Sequence, residues 1–462
     1  MVNTLVKQIF ADTSKYKDQE VKITGWIRNN RAQKEFGFIS LNDGSFFETI
    51  QVVYEDKFIE NFAAVQKLRV GTALEIIGKV ELTEGRKQPF EVKATSVSWA
   101  HNADADYPVQ AKRHTREFLR TLPHLRSKTN LFYAVFKVRN AVSMAIHNYF
   151  QDQGFTYIHT PIITGNDAEG AGEMFKVSTL DFLNMPMTDE GEIDFKQDMF
   201  SQKVGLTVSG QIHVEPFAQS HRNVYTFGPT MRAENSNTKI HANEFWMIEP
   251  EMAFCDLNGN IEYIEGLIKY IVSHVLENCK EEMQFFNKFV EKGLIERLEK
   301  IINTDFKKVT HKEAVDALLA SKEKFEFLPQ HGEDLATEHE KYLTSVFGPV
   351  FVTDWPKDIK AFYMTMNDDN ETVAAVDLLV PGAGELVGGS QREHRPDVLE
   401  KRMEDCGVEV EDLQWYLDLR KYSGTMTSGF GIGLERMIMF VTGIDNIRDT
   451  QAYPRTPKNC EL

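Results

Sequence analysis

Between residues 19 and 100 the chain is a succession of short runs in which apolar and polar side chains alternate. Val21, Ile23, Gly25 and Ile27 alternate with Lys22, Thr24, Trp26 and Arg28. The run Phe36-Gly37-Phe38-Ile39-Ser40-Leu41 repeats the pattern and ends in a turn signal, Asn42-Asp43-Gly44-Ser45. Thr49 to Val53, Ala73 to Val80 and Phe90 to Ala94 follow. Successive side chains of a strand point to opposite faces, so each run offers one face to a core and one to water.

Five such strands in about eighty residues suggest a small β-barrel of the OB type. Parity then assigns the faces. With Ile39 and Leu41 turned inward, Phe38 faces out; with Ile50 and Val52 inward, Gln51 faces out. An outward aromatic beside an outward amide suits stacking on, and reading of, an unpaired base. A scattered surface aromatic would give the same pattern.

The pattern changes at about residue 131. Phe132, Val135, Val138, Val142, Ala145, Ile146 and Tyr149 recur at helical spacing. Gly154 ends this helix, and a strand ending at Pro161 follows. Mixed helix and strand continue to the C-terminus, with a helix-rich, charged stretch at about 258–325 that reads as an insertion. Residues 103–130 read as a hinge, first acidic (Asp104, Asp106), then basic (Lys112, Arg113, Arg116, Arg120, Arg126, Lys128). A polyanion could lie along such a hinge; a solvated amphipathic segment is the commoner meaning of a charge run. The expected division is therefore 1–102, 103–130 and 131–462.

The net charge of −17 argues against a surface that binds nucleic acid everywhere, while leaving room for local basic patches. Cys255, Cys279, Cys406 and Cys460 lie far apart without a CxxC pair, which argues against a zinc site or a disulfide scaffold and fits a reducing cytosol. No apolar run is long enough to span a bilayer and the N-terminus is too polar for a signal peptide, so a cytoplasmic protein with no membrane partner is expected.

Three segments carry chemistry. From Phe227 to Phe254, Arg232 and Glu234 stand two apart and would share a face if they lie on a strand. A polar loop with Lys239 and His241 follows, then a return strand beginning at Phe245. An arginine for a phosphate, a closing loop and an aromatic for a base would cup a nucleotide. An ordinary hairpin with a solvated loop reads the same way. In the second segment Asp377 sits on a strand ending at Pro381, and a glycine-rich turn leads to Glu385. Two carboxylates across a turn are hard oxygen ligands suited to Mg2+ with phosphate, or two solvated acids. The third is Gly429-Phe430-Gly431-Ile432-Gly433-Leu434-Glu435-Arg436, which suits a strand meeting a helix start, with Arg436 in its first turns.

In this order, together with the helix and strand ending in Pro161 (FTYIHTP), these segments resemble the signature motifs of the class II aminoacyl-tRNA synthetases. The resemblance covers essentially the whole chain and is to the aspartyl/asparaginyl/lysyl subgroup, specifically its asparaginyl branch of bacterial type. It implies an α+β protein: an N-terminal OB-fold anticodon-binding barrel plus a class II catalytic domain built on an antiparallel sheet flanked by helices. It also implies a homodimer through the first motif, Mg2+, and ATP, L-asparagine and tRNA(Asn) as substrates.

The resemblance gives the residues roles. Arg232 would neutralise the α-phosphate. Glu234 would accept from the adenine amino group, with Phe245 and Arg436 sandwiching the ring. His241 and Arg436 would reach the γ-phosphate, and Asp377 and Glu385 would hold Mg2+. Glu173, assisted by Gln211, would clamp the α-ammonium of the amino acid. Arg392 would meet the side-chain oxygen and Glu249 would accept from the side-chain amide. Phe38 would stack on the middle anticodon base, with Gln51 and Arg31 reading edges and phosphate.

Aspartate is nearly isosteric with asparagine, so the substrate turns on charge. Related aspartyl enzymes carry a lysine three positions after the glutamine matching Gln211, where this chain has Val214. A lysine about 4 Å from a carboxylate contributes on the order of 4 kcal/mol at an effective dielectric of about 20. Val214 removes that attraction for aspartate, and Val214→Lys is expected to weaken asparagine selectivity. The family usually has an arginine just before the loop histidine; here it is Ile240. An aspartyl or relaxed-specificity enzyme, an amide-forming paralogue and a non-catalytic RNA-binding paralogue are the alternatives. The intact Arg232, Asp377, Glu385 and Arg436 speak against the last.

Overall fold

The computed structural model of the chain describes residues 3–83, 85, 88–166 and 174–462. It forms two compact units, Met1–Phe136 and Lys137–Leu462.

In the N-terminal unit the five expected strands are β1 (Glu20–Ala32), β2 (Phe36–Asn42), β3 (Ile50–Glu55), β4 (Ala73–Leu82) and β5 (Phe90–Ser98). They close into a barrel in the order β1-β2-β3-β5-β4. Period-two patterning drives the closure. Ile23, Ile27, Ile39, Leu41, Val52, Ile76, Val80 and Val92 are wholly buried in one cluster. Gly37 is required by this packing: a Cβ there would run into the ring of its register partner Tyr54. That ring is fixed by its hydroxyl, which donates to Asn30 Oδ1 at 2.9 Å. In the segment after the barrel, Lys112 and Arg113 are exposed as a solvated run requires. Arg126 is instead buried, its guanidinium 4.3 Å from the centre of the Phe132 ring.

The second unit is built on an eight-stranded sheet. Its strands are β6 (Thr156–Tyr157), β10 (Asn223–Met231), β11 (Glu244–Ala253), β12 (Lys307–Thr310), β13 (Val350–Pro356), β14 (Thr372–Val380), β15 (Gly384–Arg392) and β16 (Thr427–Gly433), in the order β12-β13-β14-β15-β16-β11-β10-β6. A small sheet of β7 (Ile163–Thr164), β8 (Lys176–Val177) and β9 (Val204–Leu206) stands beside it in the order β7-β9-β8. The main sheet is antiparallel from β13 to β10, but β12 and β6 run parallel to their neighbours. Each edge strand reaches its neighbour through a connection containing a helix, which is what parallel pairing needs.

The helix Asn130–Asp152 buries all seven residues named from its spacing. It ends as expected, with Gly154 in the left-handed conformation and Phe155 N donating to Phe150 O at 2.9 Å. The strand after it is shorter than its sequence suggests. Pairing with β10 covers Thr156 and Tyr157, and beyond it Thr160 meets Thr226 by its side chain, 3.0 Å apart. In the stretch 258–325, the helix Leu257–Asn278 buries Ile264, Leu267, Ile268, Ile271 and Val272 against the sheet, and β12 forms the sheet edge. This stretch is continuous with the core. Among the described residues no helix is long and apolar enough to cross a membrane.

Candidate active site

The central strands of the sheet open onto a cavity of about 380 Å³. Gly388 and Gly389 on β15, with Gly431 and Gly433 on β16, give it a floor of bare backbone. The site residues enter from three sides.

The β10/β11 hairpin supplies the first wall. Its register pairs Thr230 with Phe245 and Met231 with Glu244. The strand stops at Met231, so Arg232 and Glu234 follow it rather than lying on it, which corrects the expectation from their spacing. What fixes them is Asn243. Its carbonyl accepts from Arg232 N at 3.0 Å, and its side-chain amide donates to Arg232 O (2.7 Å) and Glu234 O (2.9 Å). Both residues line the cavity, as does Phe245, whose ring centre is 5.5 Å from the Arg232 guanidinium. The loop between them is tied to the short helical turn Ile447–Asp449. Arg448 donates to Thr238 O (2.9 Å) and Asn237 Oδ1 (2.7 Å), and Ile447 N donates to Lys239 O (2.8 Å). His241 Nδ1 lies 2.6 Å from Thr238 Oγ1; His241 and Ile240 both face the cavity.

The second wall is the β14/β15 hairpin and the helix Leu434–Thr442. Gly382 and Gly384 take positive φ and turn the chain from Asp377 to Glu385. Asp377 Oδ1 and Glu385 Oε1 converge over Gly388, 3.5 and 3.6 Å from where a Cβ there would stand. Asp377 Oδ2 is held by Lys360 Nζ at 2.6 Å. Burial pushes the Asp377 carboxyl up against the pull of Lys360. Arg436 Nη1 is 3.8 Å from Glu385 Oε2. Its neighbour Glu435 anchors the helix start, accepting from Trp246 N at 3.0 Å and pairing with Arg139 at 2.8 Å. Behind Glu385 lies Glu340, which accepts from Glu385 N at 3.2 Å and whose carboxyl is raised to about 7 by burial.

The third wall holds Gln211, Glu249 and Arg392, all buried. Glu249 accepts from the Ser209 hydroxyl and from Gly210 N (2.9 Å) at the start of the helix Gln211–His221, where a carboxylate is favoured. Arg392 makes a paired contact with Glu251 and donates to Ser390 Oγ at 2.7 Å. Burial works against its charge, but Glu251 outweighs burial and the guanidinium stays ionised. Gln211 Nε2 donates to Glu215 Oε2 at 3.0 Å, and Glu215 is also paired with Arg420 at 2.6 Å and with the Tyr416 hydroxyl. Glu173 lies outside the described residues.

On the barrel, register places the three remaining candidates together. Arg31 is opposite Phe38, and Gln51, opposite Ser40, is the next outward position along the neighbouring strand. The Arg31 guanidinium is 5.7 Å from the Phe38 ring centre. Gln51 donates to Glu91 Oε2 at 3.3 Å.

Known proteins match this arrangement. Residues 115–457 fit the family model of tRNA synthetases class II (D, K and N), and residues 21–99 that of the OB-fold nucleic acid binding domain. The chain belongs to the class II tRNA synthetases. It is similar to the asparagine–tRNA ligase of Acholeplasma laidlawii, 60% identical over 98% of each chain, and to that of Clostridium novyi, 56% identical over 99% of each. Among solved structures it is similar to the asparaginyl-tRNA synthetase of Pyrococcus horikoshii complexed with asparaginyl-adenylate. That match has a TM-score of 0.87, 28% identity and full coverage of both chains.

Several cavity groups carry no signal in the sequence read alone. Lys360 and Tyr363 come from the connection before β14, and Glu251, Glu215, Tyr416 and Arg420 join the buried pairs only through the fold. Their one visible cue is that Glu251 shares the strand parity of Glu249. Val214 is a further difference. It is wholly buried with Ala218 and Val224 and is not part of the cavity wall, so a lysine there would first meet an apolar cluster.

Proposed function

We propose that this chain ligates L-asparagine to tRNA(Asn) through an asparaginyl-adenylate, consuming ATP and releasing AMP and pyrophosphate. The observation that carries the reading is one cavity in which Arg232, Glu234, Phe245 and Arg436 meet Gln211, Glu249 and Arg392. The full-length similarity to asparagine–tRNA ligases supports the same substrate.

In the first step a carboxylate oxygen of asparagine attacks the α-phosphorus, and the bond to pyrophosphate breaks. In the second, the terminal ribose hydroxyl of tRNA attacks the acyl carbon and AMP leaves. The attacking carboxylate is already ionised, so the protein's task in the first step is positioning and charge stabilisation. Arg232, held at its backbone by Asn243, faces the charge that builds on the α-phosphate. Phe245 and Arg436 take the adenine between them and Glu234 accepts from its amino group. His241 and Arg436 meet the distal phosphates. Asp377 and Glu385 suit Mg2+, since two of their oxygens converge over the bare backbone of Gly388 and Mg2+ takes one or two carboxylates with phosphate oxygens. When bound, the ion neutralises charge on the β- and γ-phosphates.

The choice of amide over carboxylate is assigned to Glu249 and to the pairing of Arg392. Glu251 already neutralises Arg392, and Glu249 would repel a second carboxylate while accepting from an amide. A site that leaves a wrong substrate's polar group unpaired can discriminate strongly. Glu173 is assigned to the α-ammonium, with Gln211. On the barrel, Phe38 is assigned to a stacked anticodon base, with Gln51 and Arg31 reading its edge and phosphate. The catalytic unit is assigned to a homodimer through the helix Asn130–Asp152 and the segment to Pro161. Met144 and Tyr157 leave large apolar surface exposed on these elements, as does Trp246 on β11, the second strand in from β6. The reading places the protein in the cytoplasm, where charged tRNA is used.

ATP–pyrophosphate exchange with asparagine and aspartate side by side tests the proposal. Exchange with asparagine and little with aspartate is expected; equal exchange overturns the specificity. Sedimentation at micromolar concentration tests the dimer, with a single monomer mass as the overturning result.

A further inference from the structure

We infer that Lys360 is a positioning residue for the cation–polyphosphate end of the site, holding one oxygen of Asp377 so that the other stays aimed at the space beside Glu385. The inference rests on the proposed reading of the cavity as an ATP site.

Lys360 follows the short turn Lys357–Ile359 and is anchored at both ends. Its backbone carbonyl and that of Lys357 accept from the buried Arg402 guanidinium at 3.3 and 2.9 Å. Its ammonium sits 3.9 Å from the centre of the Trp355 ring, and that ring is itself fixed by its indole N–H donating to Val352 O at 3.0 Å. An ammonium on an aromatic face is attracted by the ring quadrupole and loses rotational freedom there. From this seat it reaches Asp377 Oδ2 at 2.6 Å.

The geometry divides the Asp377 carboxylate between two duties. Oδ2 serves Lys360, while Oδ1 stands with Glu385 Oε1 over Gly388, where the absence of a side chain leaves room for a ligand. The hydrogen bond from Lys360 selects which oxygen faces Glu385, and without its charge the two acids repel across the gap. With it, one negative charge is balanced and the carboxylate plane is set before a ligand arrives. Lys360 therefore acts through Asp377, as outer-shell partners do at metal sites, where losing one typically costs about 10–100-fold in affinity.

The test is Mn2+ as a spectroscopic probe, titrated into the full chain in the presence of a non-hydrolysable ATP analogue, with free ion read by EPR. Lys360→Met is expected to weaken Mn2+ binding by about 10–100-fold, and Lys360→Arg to restore most of it. Thermal unfolding of the same samples reads the fold, and Lys360→Gln serves if the methionine variant does not fold. Parent-like or tighter Mn2+ binding in the folded neutral variant overturns the inference, the tighter case making Lys360 a competitor of the cation. Asp377→Asn separates the two readings. If it too leaves Mn2+ binding unchanged, the cation site itself is misassigned. If it abolishes binding while Lys360→Met does not, only the role of Lys360 falls.

Discussion

The barrel and the catalytic sheet solve the same problem, holding polar groups ready for a polyanion, in opposite ways. In the barrel, Asn42 and Thr72 are the buried polar side chains among the described residues, and none is charged. Its candidate residues stand on the outer face, with Arg31 beside Phe38 and Gln51 on Glu91. In the sheet unit, Glu215, Glu251, Arg392, Glu393, Arg420 and Glu435 are all 5% exposed or less. There the groups that would face substrate are continuous with the ion pairs that fill the interior. The contrast teaches that function and stability should separate in the barrel and not at the amino-acid end of the catalytic cavity.

The strongest way to break that comparison is Arg392→Leu. It leaves Glu251 buried beside Glu215 without its cation, a situation that costs about 3–5 kcal/mol. Urea unfolding of the catalytic unit should show a large loss of stability, together with loss of asparagine-dependent exchange. A parent-like midpoint would mean that the pair is not coupled to the fold. Arg232→Ala is the contrasting change within the same cavity, because Arg232 follows the end of β10 and is half-buried, whereas Arg392 is buried. It should lower kcat for exchange by about 10²–10³-fold with little change in the urea midpoint.

Phe38→Ala sharpens the other half. Stacking of one base on an aromatic contributes about 1–3 kcal/mol, so kcat/KM for tRNA should fall by that amount in tRNA charging. Exchange, which needs no tRNA, should be unchanged, and so should the unfolding of the sheet unit. Equal losses in charging and exchange would refute the division of labour between the two units.

The same contrast governs what the sequence discloses. The barrel is readable almost residue by residue, because inward and outward positions alternate locally: Ile39 and Val52 are buried, and Phe38 and Gln51 are not. The catalytic candidates are readable only through their order along the chain, since Arg232, Asp377 and Arg436 are brought together by strands far apart in sequence. The ion pairs behind them are not readable at all. Glu215 lies on a helix and Arg420 on another, and nothing local in either marks it as half of a buried pair. The short β6 fails for a related reason. Its extension depends on how far β10 stays beside it, and side-chain contact between Thr160 and Thr226 replaces the ladder. Val214 shows the limit of reading by position, because its alignment with a charged residue in related enzymes does not place it in the cavity wall.

The smallest expected effect concerns pH. Among the described residues, His311 in the sheet unit is buried, with Nε2 2.9 Å from Glu333 O and its ring 4.7 Å from that of Trp355. Burial pushes its imidazole below the usual range. The unfolded chain takes up that proton near pH 6.5 while the folded chain still refuses it. The unfolded state therefore binds more protons in this window, and stability rises with pH across it. The contribution of neutral His311 is complete above about pH 6.5 and is lost as pH falls from there towards the lower folded value. Buried carboxyls such as Glu340, raised to about 7, pull the other way, so the parent's net slope does not isolate the histidine; the difference between parent and His311→Gln does. The parent should lose stability relative to the variant as pH falls from 7 to 5.5, read by hydrogen exchange in peptides covering 307–320. Residues 20–98 contain no histidine, so barrel peptides should show no such difference. A parent-minus-variant difference that stays flat in the sheet peptides would mean that His311 is protonated as readily in the folded chain as in the unfolded one. Its bond to Glu333 O would then be an N–H donation from an imidazolium.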